Sequence, residues 1–325
     1  MAGRGRATGL SLTSWVLFAG SGPVAKAVMG TGWSPAAVTA VRIALAAVVL
    51  VPGVALVRPW ALRFRGSDVW LVLGYGVLGV AGVQLCFFVA VDRVPVGVAM
   101  VLVNLAPALV ALWVRVVRRE RLPALVWAGT ALGVAGLALV ARIWQGGRLD
   151  ALGIAAGVGA AVCSAGYFLL GERGAGRHDS VGLTAVGLAI GAVVVGAVSP
   201  PWTVAPASIT ATATLGSLHV PVWLALLVLA VAGTVLPYLA GLRALRDLPS
   251  ALASVLALVE PLVAAGLAWW WLGETLGATQ LVGAAVLLAG AVLVQVAGSR
   301  TPPGARDPAL TTSQPDARGP ARRAA

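Results

Sequence analysis

Apolar residues run along this 325-residue chain in long blocks separated by short polar turns. The blocks cover approximately residues 11–29, 35–57, 69–90, 97–115, 122–141, 151–171, 181–198, 220–241, 250–271 and 276–297. Each is close to the roughly 20 residues that a helix needs to cross a bilayer. The pattern predicts ten spanning helices. Before them lies a short polar start, residues 1–10, with Arg4 and Arg6. After them, residues 298–325 are rich in Pro, Ala, Arg and Thr, a composition that predicts a disordered tail. The first block also has features of a signal peptide: a basic start, an apolar centre and an Ala25-Lys26-Ala27 that looks like a cleavage site. It continues past a normal signal core, so it is read as the first spanning helix.

The blocks repeat. An offset of 154 positions lays Pro95 on Pro249, Ala99 on Ala253, Leu102 on Leu256, Pro107 on Pro261 and Glu120 on Glu274. Further on it lays Gly129 on Gly283 and Ala135-Gly136 on Ala289-Gly290. No gap is needed from residue 90 to 140. This is an internal duplication of five helices each, residues 11–141 and 151–297. One position breaks the likeness. Glu260 sits about 11 residues into the ninth block, close to the bilayer centre, and its twin is Ala106.

Composition agrees with the blocks. Mean hydropathy is +0.95 and 10% of residues are charged, against about 25% in a soluble domain. The chain is therefore read as an all-α polytopic membrane protein. Cys86 and Cys163 both fall inside apolar blocks, so no disulfide framework is expected. The net charge of +12 does not point to nucleic acid, because the arginines sit in short loops and tails between apolar blocks.

Those arginines set an orientation. With the N-terminus in the cytoplasm, the cytoplasmic segments hold 18 arginines and the outer loops hold three: Arg93, Arg142 and Arg148. The excess places both termini inside, with loops 58–68, 116–121, 172–180 and 242–249 on the same face. Five is odd, so the second repeat begins on the face opposite to the first. Inverted repeats of this kind are an architecture of secondary transporters, with sites near the midplane beside interrupted helices. Pro107 and Pro261 supply interruptions at matching depths. Gly129-x-x-x-Gly133, Gly153-x-x-x-Gly157 and Gly187-x-x-x-Gly191 offer small-residue packing faces.

These residues resemble a known family. Ten helices in two halves, Lys26 near the end of the first, Arg42 in the second, and a proline before helices four and nine look like the EamA family of the drug/metabolite transporter superfamily. Glu260-Pro261 and Leu272-Gly273-Glu274-Thr275 are the most specific pieces. Thr234-x-x-Pro237-Tyr238, Pro249 and Glu260-Pro261 resemble the threonine/homoserine exporter branch. The resemblance covers roughly residues 10–297 and implies a carrier of the cytoplasmic membrane that exports metabolites or amino acids. The last two-thirds of helix four, with Asn104 and Trp113, carries no signature of that branch.

Glu260 is the first candidate for chemistry, because an ionisable group at that depth is costly. It reads as a proton-coupling or substrate-ammonium site. Its other reading is a structural partner of Arg42 or Lys26, or of backbone groups that Pro261 frees. Arg42, roughly 12 Å below the outer surface, would hold a substrate carboxylate or pair with Glu260. Lys26, the only lysine in the chain, would either reach the cavity or snorkel outward. Ser21, Gln84, Asn104, Ser164, Tyr167, Thr234 and Tyr238 supply polar groups at cavity depth. For each of them the alternative is a helix–helix hydrogen bond. Trp269, Trp270 and Trp271 read as interfacial anchors.

Other chemistries find no footing. Gly74-x-Gly76-x-x-Gly79 fits a dinucleotide pattern but lies inside an apolar span with no strand before it. No phosphate-binding Gly-x-x-x-x-Gly-Lys motif occurs, and His178 and His219 lack metal-ligand spacing. No cofactor and no metal are expected. The partners implied are a small-molecule substrate, the lipid bilayer and protons, without nucleic acid. The reading is export of a small amphoteric metabolite by alternating access with proton exchange. Efflux of hydrophobic drugs or dyes is the second reading. An integral-membrane enzyme acting on lipid is the third.

Overall fold

The computed structural model describes residues 2–94, 96–140, 150–200, 209–272 and 277–300. Ten helical passes follow one another within them. They are α1 (Ala2–Met29), α2 (Pro35–Val57), α3 (Val69–Gly74, Tyr75–Gly82 and Val83–Arg93), α4 (Val96–Val103 and Ala106–Val116), α5 (Ala124–Val140), α6 (Ala151–Arg177), α7 (Ser180–Val198), α8 (Val222–Ala230, Val231–Val235 and Leu236–Ala244), α9 (Ser250–Leu256 and Val259–Leu272) and α10 (Ala278–Arg300). Six stretches are long and apolar enough to cross a membrane: Pro35–Val57, Gly66–Ala90, Val98–Val116, Ala151–Arg177, Ser180–Val198 and Val222–Ala244. Ala124–Leu139, Ser250–Ala264 and Ala278–Val294 are shorter apolar helices among the described residues. The protein is a multi-pass membrane protein.

Several boundaries differ from the sequence reading. The expected polar start is helical from Ala2, so Arg6 rides on α1 itself. The loop before α8 contains a short hairpin, β1 (Thr212–Leu215) and β2 (Leu218–Pro221), a small addition to an otherwise all-α membrane protein. Its two-residue turn needs a positive φ, which Gly216 supplies at 59°. Alternating Thr and Ala in a loop had offered no strong strand signal. Helix α10 runs on to Arg300. The expected tail over 301–325, Glu274 and the side chains of Trp269, Trp270 and Trp271 lie outside the described residues.

The halves interleave. Helices α1 and α2 pack on α8 of the other half, and α1 also packs on α9. In return α6 and α7 pack on α3, and α6 also packs on α4. Helix α2 meets α7, α4 meets α9, and α5 meets α10 most extensively of all. Small residues make the last contact close. A Cβ on Gly129 would lie 2.6 Å from the Gly290 carbonyl, and one on Gly290 would lie 2.6 Å from the Gly129 carbonyl. Without lipid-specific hydrophobic drive between helices, such close dispersion contact holds them together. The glycines that imitated a dinucleotide motif have the same use. Gly76 fits against Ile190 of α7, while Gly74 and Gly79 fit against Leu170 and Tyr167 of α6.

Ion pairs join the halves at the face carrying loops 58–68, 116–121 and 172–180. Arg118 meets Glu172 at 2.7 Å, and Asp68 lies 3.9 Å from Arg177 and 3.5 Å from His178. Cys86 and Cys163 are free thiols.

Candidate functional site

Four irregular stretches of helix converge where the halves meet. Two are the breaks of α4 and α9, at residues 104–105 and 257–258. Pro107 and Pro261 do not kink a helix from its interior. Each stands in the first turn of a restarting segment, Ala106–Val116 and Val259–Leu272. There a missing N–H costs nothing, because the first four N–H groups of a helix have no intrahelical acceptor. The other two are π-helical stretches, Tyr75–Gly82 in α3 and Val231–Val235 in α8. In the 154-position register Gly79 falls on Gly233, so the widened turns are copies as well. A Cβ on Gly79 would meet Tyr167 of α6 at 3.2 Å, and one on Gly233 would meet Ser21 of α1 at 2.8 Å.

Glu260 belongs to the first turn of its segment. A carboxylate is favoured there, because the helix N-terminus carries partial positive charge. Its own N–H bonds back to the Ala257 carbonyl at 2.9 Å across the break. Its electrostatic partner is Arg42 of α2. Helix α2 is started by Pro35 and by Ser34, whose side chain accepts from the Ala37 N–H at 3.2 Å. That fixes Arg42 about 10 Å into the helix. Arg42 interacts electrostatically with Glu260 and with Tyr238. Its Nε is buried without a hydrogen-bond partner.

The third part of the site is aromatic. The chain has three tyrosines, and all three meet here. Tyr75 of α3 stacks tilted on Tyr167 of α6 at 5.7 Å, and Tyr167 meets Tyr238 of α8 edge-on at 5.8 Å. Phe18 of α1 closes on Tyr238 at 5.3 Å. Such pairs add about 0.5–1.5 kcal/mol each beyond burial. Tyr238 donates its phenol hydrogen to the Gly79 carbonyl at 3.3 Å, tying the π turn of one half to the helix of the other. The hydroxyls of Tyr75 and Tyr167 are buried with no partner. The Tyr167 hydroxyl lies against Gly241, where an added Cβ would be 2.8 Å from it and 3.0 Å from the Ser14 oxygen. One guanidinium, one carboxylate and three phenols thus stand at the junction of the two halves.

The structure gathers Arg42, Glu260, Tyr167 and Tyr238 and leaves other candidates elsewhere. Lys26 is exposed in the last turn of α1. Asn104 spends its amide N–H on the Met100 carbonyl at 2.9 Å, at the break of its own helix. Thr234 donates to the Leu229 carbonyl, five residues back at 2.8 Å, which fits the wide spacing of a π turn. Ser21 likewise donates to Phe18 in its own helix. Gln84 and Ser164 are half-buried on α3 and α6. Tyr75 was missed by sequence reasoning, as was Ser14, which donates to the Pro237 carbonyl at 2.7 Å. The rarity of tyrosine in the chain was the available signal for Tyr75. A serine in an apolar helix gives none.

Comparison with known proteins adds lineage to this geometry. The pattern of the EamA-like transporter family matches residues 7–142 and again residues 151–296. The threonine/homoserine exporter RhtA of Salmonella typhimurium is 32% identical over 262 residues, covering 78% of this chain and 79% of the exporter. Its Escherichia coli K12 counterpart matches to the same extent. An uncharacterized transporter of Archaeoglobus fulgidus is 27% identical over 241 residues, covering 74% of this chain and 82% of its own. A solved crystal structure of another protein superposes with a TM-score of 0.71 at 21% identity, covering 90% of this chain and 98% of that one. That likeness carries the fold alone.

Proposed function

The chain belongs to the EamA-like transporter family, whose members are carriers rather than enzymes, and from that premise we propose that it exports a small amphoteric metabolite of the amino-acid class in exchange for protons. The observation that carries this reading is the electrostatic interaction of Arg42 with Glu260 beside three clustered tyrosines at the seam between the halves. An α-amino acid offers a carboxylate, an ammonium and, in hydroxy amino acids, a hydroxyl. Arg42 answers the first by charge-assisted hydrogen bonding. Glu260 answers the second. The free hydroxyls of Tyr75 and Tyr167 answer the third. The similarity to threonine/homoserine exporters supports the same class.

In this reading residues 11–141 and 151–297 are inverted repeats that rock about the seam, with residues 1–10 and 298–325 in the cytoplasm. Glu260 serves two ligands in turn. Ionised, it holds the substrate ammonium taken from inside. Once the site opens outward, a proton displaces the ammonium and rides back on the carboxyl. The ion pairs Arg118–Glu172 and Asp68–His178 tie the halves at the face read as cytoplasmic. Both contacts are largely shielded from solvent, and in this reading they must part each time the carrier opens to that face.

A hydrophobic drug would use the aromatic rings but leave a desolvated Arg42 and Glu260 without purpose. The test is a thermal-shift screen of the purified protein, since a ligand that binds the folded state raises its melting point. Threonine and homoserine are expected to raise Tm and to drive counterflow in proteoliposomes. Stabilisation by apolar dyes alone, with no response to any amino acid, would overturn the reading.

A further inference from the structure

A groove of about 400 Å³ runs along the outside of the molecule between α1 and α8, and none of its lining residues belongs to the Arg42–Glu260 site. Arg6 and Arg243 stand at one end, both exposed. Neither forms an ion pair among the described residues. The helices run antiparallel, so the rest of the lining descends from those two residues. Leu10 and Leu17 follow along α1, and Leu239 and Leu236 follow along α8. At 1.5 Å per residue the wall reaches about 16 Å below Arg6 on one side and about 10 Å below Arg243 on the other. Two cations over an apolar channel of that depth match one kind of molecule: a charged phosphate with an acyl chain hanging from it.

We propose that this groove binds an anionic phospholipid, with Arg6 and Arg243 on the phosphate and the four leucines along the first half of an acyl chain. Charge complementarity selects the occupant. A zwitterionic lipid brings its own cation to the arginines, whereas an anionic headgroup leaves both guanidinium groups satisfied. Free phosphate would lack the chain that fills the leucine wall. The leaflet follows the arginine-based topology and is the cytoplasmic one, where basic pockets between spanning helices meet anionic lipid. The lipid would staple α1 to α8, and so one half of the carrier to the other.

The experiment is native mass spectrometry of the purified full-length protein titrated with phosphatidylglycerol, phosphatidylcholine and inorganic phosphate. Phosphatidylglycerol is expected to be retained about thirtyfold better than phosphatidylcholine, the preference that two arginines near a membrane surface imply. The Arg6→Gln/Arg243→Gln double variant should lose that preference, and Arg6→Lys/Arg243→Lys should keep most of it. Ala240→Trp, which fills the groove without touching either charge, should lower retention of both lipids. Equal retention of the two lipids by the unaltered protein would overturn the proposal. So would unchanged retention in the glutamine or tryptophan variant, or full competition by inorganic phosphate alone. Amino-acid binding at the seam should be unaffected by all of these changes, which separates failure here from failure of the transport reading.

Discussion

Helices α4 and α9 are the same piece of backbone used twice. In sequence a proline precedes each, Pro95 and Pro249, both helices break at matching positions, and both restart with a proline in the first turn of the new segment. The positive end of a half-helix is therefore presented at both breaks. Yet α4 places Ala106 there, buried at 2% exposure, while α9 places Glu260. The partners differ in the same sense. Helix α2, which faces the second half, carries Arg42, and α7, which faces the first, carries no charged residue at all. The geometry of the break is common to both helices, and an ionisable residue stands at only one of them. In the transport reading proposed above, the carrier therefore has one chemical centre inside a nearly two-fold frame.

The largest expected effect comes from making the furnished copy as neutral as its twin. Glu260→Gln keeps the size and hydrogen bonding of the side chain but cannot exchange a proton. Proton-driven accumulation in vesicles should fall to background and its pH dependence should flatten, while downhill exchange of substrate persists. Uphill transport at the normal rate with a normal pH profile would show that Glu260 is a structural partner of Arg42 and nothing more.

The converse change is next in size. Ala106→Glu puts a carboxylate at the restarting end of α4 with no arginine opposite. An uncompensated buried charge costs about 3–5 kcal/mol, so the purified variant should lose thermal stability and should not restore transport to Glu260→Gln. A melting point within a degree of the parent would mean that the empty copy is solvated and the comparison false.

The smallest effect separates the two prolines. Pro107→Ala and Pro261→Ala should both insert normally, because each proline stands where its lost N–H was spare. Alanine lets the two segments of each helix join, and only in α9 does that move a charged group. Initial transport rates should fall further for Pro261→Ala than for Pro107→Ala. Equal rates would detach the break from the charge beside it.

The sequence carried the passes well and their interiors poorly. Hydropathy located α2 and α7 nearly to the residue, because the cost of burying backbone and charge in lipid is written along the chain. The 154-position register also carried the two breaks. The π turns at Tyr75–Gly82 and Val231–Val235 were not legible, since a widened turn leaves the apolar pattern unchanged. Glycines 79 and 233 did stand in register, but in a chain with 41 glycines that coincidence has little weight. In the site, Glu260, Arg42 and Tyr238 were legible because polar groups at midplane depth are conspicuous. Tyr75 was not, because it stands only six residues past the start of α3 at Val69, well before the middle of its apolar block. Thr234 and Asn104 show the opposite limit. Sequence depth alone cannot distinguish a hydroxyl or amide aimed at a cavity from one spent on its own helix.

The interleaving of the halves constrains how the protein can be made. Ser14 of α1 donates to the carbonyl of Pro237, 223 residues further along the chain. At about 5–20 residues per second of synthesis, α1 leaves the ribosome tens of seconds before its partner exists. During that time its serines and Thr13 must bond to their own helix carbonyls, and Arg6 must rest at the lipid headgroups. The first five helices therefore cannot finish as an independent unit and then wait for the second five. Their contacts with the second half, such as that of α1 with α8, can form only once that half has been made. Destabilising changes in α8 should accordingly leave α1 unprotected in the membrane, open to quality-control proteolysis, even though the two helices lie far apart in the chain.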